Sequence, residues 1–156
     1  MMWGRNLFYL AVALSAASAF QWQLNQETAQ KLPADLVAMG RQVYISEGCI
    51  HCHSQYVRPV GQDMELWGAR TTVEQALSQK PVLIGNRRQG PDLANVGQRR
   101  NAGWNRLHLM EPSAVVPSSR MPSYRHLFES DNERGEALLV YLSSLRPSVY
   151  NHQTNE

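Results

Sequence analysis

The chain has 156 residues and a formal net charge of +2, which suits one domain with a single core. So small a positive excess, with no basic run interleaved with aromatics, excludes nucleic acid as an expected partner. No internal repeat or low-complexity tract is present.

The N-terminus differs from the rest. Arg5 is the only charge before Glu27, and the 21 residues from Asn6 to Gln26 are uncharged. As a helix they would reach about 31 Å, close to one hydrocarbon core. The strongly apolar part, "LFYLAVALSAASAF", is shorter, as in a signal peptide, and "ASA" (17–19) has the character of a cleavage site. Trp22 beyond it would suit an interfacial anchor. Either way, residues 1–26 read as an export or membrane-anchor segment, with Arg5 inside and the following chain outside. Residues 27–32 form a polar linker.

A helix is expected from Pro33, a good first-turn residue, to about Gly48. Leu36, Val37, Gly40 and Tyr44 give it one apolar face. The middle of the chain reads as loop-rich. "TTVE" (71–74) fits a capping box opening a short helix that Pro81 stops. "GPDLANVGQRR" has turn chemistry at both ends. "GWNRLHLMEP" allows two helical turns closed near Pro112, and "VVPSSRMPSY" is expected to be extended or turning. "SDNE" (130–133) fits a second capping box. It opens a helix with Leu138, Tyr141, Leu142 and Leu145 on one stripe, followed by Pro147. Two amphipathic helices thus flank a middle that cannot bury much apolar surface alone. The expectation is an all-α domain over residues 33–147, with a tail at 148–156 and a non-protein body in its centre.

"CIHCH" identifies that body. Cys49, Cys52 and His53 form Cys-x-x-Cys-His, the attachment motif of a c-type haem. The thiols add to the porphyrin vinyl groups, and the adjacent imidazole binds iron from one side. A thioredoxin-like pair expects a strand before the motif and a helix after it. Here a helix precedes and a loop follows. A structural zinc site wants four ligands, and Cys49, His51, Cys52 and His53 are too crowded to close one tetrahedron. Export agrees with haem, since covalent attachment takes place outside the cytoplasmic membrane.

The second face of the iron has several candidate ligands. Met39, Met64 and Met110 suit packing roles. Met121 stands in "SSRMPSY", 68 residues after His53, where Pro122 stiffens the loop. It is the favoured ligand, with His108 as the alternative. Imidazole plus thioether closes the iron to small molecules and leaves one-electron transfer as its chemistry. No paired carboxylates, Ser/His/Asp set or phosphate loop points to a catalytic site of the chain's own. The remaining alternatives are a five-coordinate haem sensor and a thiol–disulfide assembly factor.

"GRQVYISEGCIHCHSQYVRP", "GPDLANVGQRR", Trp104 with "HL", and "VVPSSRMPSY" together resemble the monohaem membrane-bound cytochrome c subunit of cbb(3)-type cytochrome c oxidases. The resemblance runs from about Pro33 to Tyr124. It implies a cytochrome c fold, with the first and last helices crossing where Gly40 lets the backbones approach. It implies that the Pro91 carbonyl accepts the His53 ring N–H and that Leu93 packs on the haem. Trp104 and one or more of Arg87, Arg88, Arg99 and Arg100 would stand near the haem propionates. It further implies one haem c, anchorage in the cytoplasmic membrane with the haem domain on the periplasmic face, and electron relay to a haem–copper catalytic subunit alongside other cytochrome c subunits or donors. The chain departs from the family pattern in its short, alanine-rich hydrophobic segment and in the eight residues that separate Met121 from Ser130. A free periplasmic carrier and a subunit of a nitric oxide reductase-like complex are the alternative functions.

Overall fold

The structure is a computed structural model and describes residues 33–85 and 87–147. The hydrophobic segment 1–26, the linker 27–32 and the tail 148–156 lie outside the described residues. Among the described residues there is no strand, and no helix is long and apolar enough to cross a membrane.

In chain order the helices are α1 (Ala34–Ser46), α2 (Gly61–Trp67), α3 (Val73–Ser78), α4 (Val96–Arg99), α5 (Ala102–Met110), α6 (Pro112–Val115), α7 (His126–Glu129) and α8 (Asn132–Ser144). A single 3-10 turn, Cys49–His51, follows α1. Pro33 stands just before α1, and its carbonyl accepts from Val37 N–H at 3.0 Å. At the other end Gly48, at φ +72°, takes the left-handed conformation that closes a helix and turns the chain into the cysteine loop.

α1 and α8 cross with their backbones nearly touching. A Cβ on Gly40 would overlap the Ala137 carbonyl and stand 2.6 Å from Tyr141 Cβ. Glycine is therefore required at this crossing, and it lets Tyr44 and Tyr141 meet with ring centroids 5.6 Å apart. Val43, Leu109, Leu127, Leu138, Leu139 and Leu142 complete the core around them. Each such side chain contributes roughly 1.5–3 kcal/mol when fully buried. At the far end of α1, Glu47 pairs with Arg134 at 2.7 Å.

Two local expectations need correction. The box on α3 sits one residue later than "TTVE": Thr72 caps Gln75 N–H, and the Gln75 side chain accepts from Thr72 N–H. α8 is capped by Asp131 rather than Ser130, whose hydroxyl donates to the His126 carbonyl instead. As expected, α5 closes just before Pro112, ending at Met110; Pro112 also opens α6, a position where its missing N–H goes unused.

Candidate functional site

The site is built where residues 83–85 and 87–93 run as a strap against residues 49–57. Gln55 N–H donates to the Leu83 carbonyl at 2.8 Å, Gly90 N–H to Cys52 at 3.0 Å and Leu93 N–H to Ser54 at 2.8 Å. Tyr56 N–H donates to Asp92 Oδ2 at 3.0 Å, and the Cys52 thiol to Gln89 Oε1 at 3.7 Å. The two glycines of the strap are what let it lie so close. A Cβ on Gly85 would stand 2.7 Å from the His53 carbonyl oxygen, and one on Gly90 would strike the His53 ring.

His53 Nδ1 lies 2.8 Å from the Pro91 carbonyl. A carbonyl only accepts, so Nδ1 carries the proton and Nε2 keeps its lone pair. Burial lowers the basicity of His53, with the Pro91 bond and the Asp92 charge opposing. The neutral imidazole that results is the form that binds a metal. Both cysteines are free thiols. Burial, with the Glu47 charge adding to it, pushes the Cys49 thiol up to about 12. Dithiol exchange enzymes have the reverse, a thiol of depressed pKa.

Cys49, Leu93, Met121, Tyr124 and Leu109 belong to one apolar cluster. The Met121 loop is pinned on either side, by Met121 N–H to Ser119 Oγ at 3.3 Å and by Ser123 Oγ to the Met110 carbonyl at 2.6 Å. Trp104 is not part of that cluster. It stacks on His108 with ring centroids 4.7 Å apart, and the Arg100 guanidinium stands 4.5 Å from its ring. Of the other histidines and methionines that could ligate iron, His51 and Met64 are exposed, and His126 pairs with Glu47 at 3.3 Å.

Among the described residues four buried side-chain nitrogens have no hydrogen-bond partner, Gln55 Nε2, Arg99 Nε, Asn105 Nδ2 and His108 Nδ1. A buried polar atom left so is costly and calls for a polar group from elsewhere. The donor set fits a covalently held haem on these grounds. It offers two unpaired thiols, an imidazole with one nitrogen committed to Pro91, a thioether in the same apolar cluster, and basic groups suited to carboxylates.

Of the four arginines considered from the sequence, Arg87 is exposed and Arg88 is taken up by carboxylates. Arg99 donates through Nη2 to the Asp92 carbonyl, and Arg100 covers Trp104. The sequence reading missed Asp63 and Arg58, which join Arg88 and Asp92 in one ion network whose two carboxylates are buried and whose Arg58 is exposed. The only local signal was the pair of arginines at 87 and 88.

An all-helical fold whose first and last helices cross beside a Cys-x-x-Cys-His loop is that of a monohaem cytochrome c domain. Residues 12–146 match the family described as "Cytochrome C oxidase, mono-heme subunit/FixO", and the chain belongs to that family. It is accordingly a subunit of a cbb3-type cytochrome c oxidase, with one covalent haem c through which it transfers electrons. The subunits of this family are membrane-anchored. No curated protein matches the chain.

Proposed function

We propose that Cys49 and Cys52 tether the haem through thioethers, that His53 Nε2 binds the iron, and that Met121 Sδ is the ligand on the opposite face. The observation that carries this reading is the His53–Pro91 hydrogen bond, 2.8 Å long, which fixes the tautomer with Nε2 free beside two free thiols. Such a bond orients a ligating imidazole and raises its basicity. Leu93 supplies apolar packing, and Trp104, Arg99 and His108 face the propionates. Bound haem c supplies a one-electron ferric–ferrous couple. His53 and Met121 would hold the iron and exclude small molecules, and the Pro91 carbonyl holds the imidazole in one orientation.

The electron acceptor is the haem–copper catalytic subunit of the oxidase, with other cytochrome c subunits or donors on the input side. Residues 1–26 anchor the chain in the cytoplasmic membrane, 27–32 link, 33–147 form the haem domain on the periplasmic face, and 148–156 are a tail. The run of 21 uncharged residues after Arg5 supports this arrangement.

Mass spectrometry of the peptide spanning Cys49 to His53 tests the attachment, and haem mass on both thiols is the expected result. Met121→Ala is expected to retain the haem, lower its potential and admit carbon monoxide to the reduced protein. An unchanged potential and spectrum would transfer the axial role to another residue, with His108→Ala the next variant to test.

A further inference from the structure

We propose that Arg88 and Asp92 form a charge-balanced positioning pair behind His53, and that they set the reduction potential of the haem from outside its ligand set. This inference rests on the assignment of His53 as an iron ligand.

Asp92 is fully buried at 0% exposure, an unusual place for a carboxylate. Its two oxygens are used completely. Oδ1 accepts from Ala94 N–H at 2.9 Å, and Oδ2 accepts from Tyr56 N–H at 3.0 Å and from Arg88 Nη2 at 3.3 Å. The residue before it is Pro91, whose carbonyl holds His53 Nδ1. Asp92 therefore anchors, one peptide away, the acceptor that orients the imidazole. Through Tyr56 it also grips the chain three residues beyond His53.

Arg88 is the counter-charge. Its guanidinium bonds Asp92, Asp63 and the Tyr56 carbonyl together, and it stands 5.0 Å from the centre of the Trp67 ring. Asp63, 2% exposed, is held from its other side by Arg58 through two bonds of 2.8 Å. The four groups sum to zero charge. Asp63, Asp92 and the largely buried Arg88 are the inner part of this set, and a buried ion pair is a poor source of stability by itself, because desolvation offsets the ionic attraction. Its position suggests a different use. The ferric centre carries one more positive charge than the ferrous one, so a negative neighbour favours ferric and a positive neighbour favours ferrous. In the low-dielectric interior these effects reach across several ångströms.

A purely structural fastener and a charge pair behave differently when mutated. Loosening the strap from either side would move the potential in one direction. Removing charge would move it in opposite directions. The test is a spectroelectrochemical titration at pH 8 of the full-length holoprotein in detergent, as wild type, Asp92→Asn, Arg88→Gln, Arg88→Lys and the Arg88→Gln/Asp92→Asn double variant. Asp92→Asn is expected to raise the ferrous-to-ferric ratio at fixed potential roughly tenfold, a shift of about 59 mV for one electron. Arg88→Gln is expected to lower the ratio, Arg88→Lys to stay close to wild type, and the double variant to return towards it. If Arg88→Gln does not fold, Asp92→Asn and Arg88→Lys carry the same comparison. Asp92→Asn and Arg88→Gln shifting the potential in the same direction, or both leaving it unmoved with the haem spectrum intact, overturn the proposal. Failure of the ligand assignment would be seen separately, as a wild-type chain lacking haem mass at Cys49 and Cys52.

Discussion

His53 lies so close to Gly90 that a Cβ at that position would stand 2.7 Å from Nδ1 and 2.9 Å from Nε2. The glycine is fixed by the imidazole rather than by a turn. Gly90→Ala is expected to displace the ring or the strap and to destabilise the domain by about 1–3 kcal/mol. Thermal unfolding of the holoprotein would show this as a Tm lowered by about 2–4 °C for each kcal/mol. A shift of the reduced absorption bands should accompany it, since the ring displaced is the proposed iron ligand. An unchanged Tm and spectrum would mean that the ring has room to spare.

The helix crossing makes a second prediction with its own control. At Gly40 an added methyl meets the backbone of Ala137, which cannot rotate away. Gly40→Ala is expected to cost at least about 3 kcal/mol, the upper end of overpacking effects. Gly61 opens α2 with nothing within 4 Å of its Cβ position. Gly61→Ala is expected to stabilise by about 0.4–1 kcal/mol, through the unfolded chain. Denaturant titration of the two variants should give opposite signs.

The ion network gives a pH dependence with two limbs. Hydrogen bonds from Arg58, then from Arg88, hold the Asp63 carboxyl well below the usual carboxylate range. In the unfolded chain it titrates near about 3.9. Its stabilisation is therefore complete above that value and is lost as pH falls through the lower folded one. Asp92 has the opposite sign: burial raises its folded value, against the Ala94, Tyr56 and Arg88 contacts. Its ionisation costs stability at neutral pH, and the cost is relieved as pH falls from the raised value towards about 3.9. Stability measured against pH should lose its acid limb in Asp63→Asn and its mildly acidic gain in Asp92→Asn. A profile unchanged in both would rule out the network as its source.

The cap of the last helix can be checked directly. Asp131 accepts from Arg134 N–H at 3.4 Å, whereas Ser130 makes no cap bond. Asp131→Ala is expected to cost about 1 kcal/mol, and Ser130→Ala less than about 0.5 kcal/mol. The reverse order in chemical denaturation would move the cap back to Ser130.

What could be read from the sequence follows from the range of the interactions involved. α1 and α8 were legible because their stripes repeat every turn and need no distant partner. The cysteine motif was legible because bond formation to one cofactor demands fixed spacing. The box on α3 was misplaced by one residue because Thr71 and Thr72 both offer a hydroxyl, and Glu74 and Gln75 both suit the third position. α2 gave no signal: Val60 makes no side-chain cap, and its one buried residue is Asp63, held partly by Arg88, 25 residues away. α7 is a four-residue turn without a side-chain cap. The strap was half legible. The resemblance implied the Pro91 bond, but the pairing of 83–85 and 87–93 with 49–57 is long-range and leaves no periodic trace.

That pairing has a consequence for the order of biogenesis. The groups that bond Cys52, His53 and Tyr56 lie 36 to 38 residues downstream of them. On a chain exported N-terminus first, as proposed above, the two sulfurs would emerge before the segment that covers them. Haem attachment at the proposed cysteines would then meet an open loop, and closure would follow it, locking in a prosthetic group already bonded.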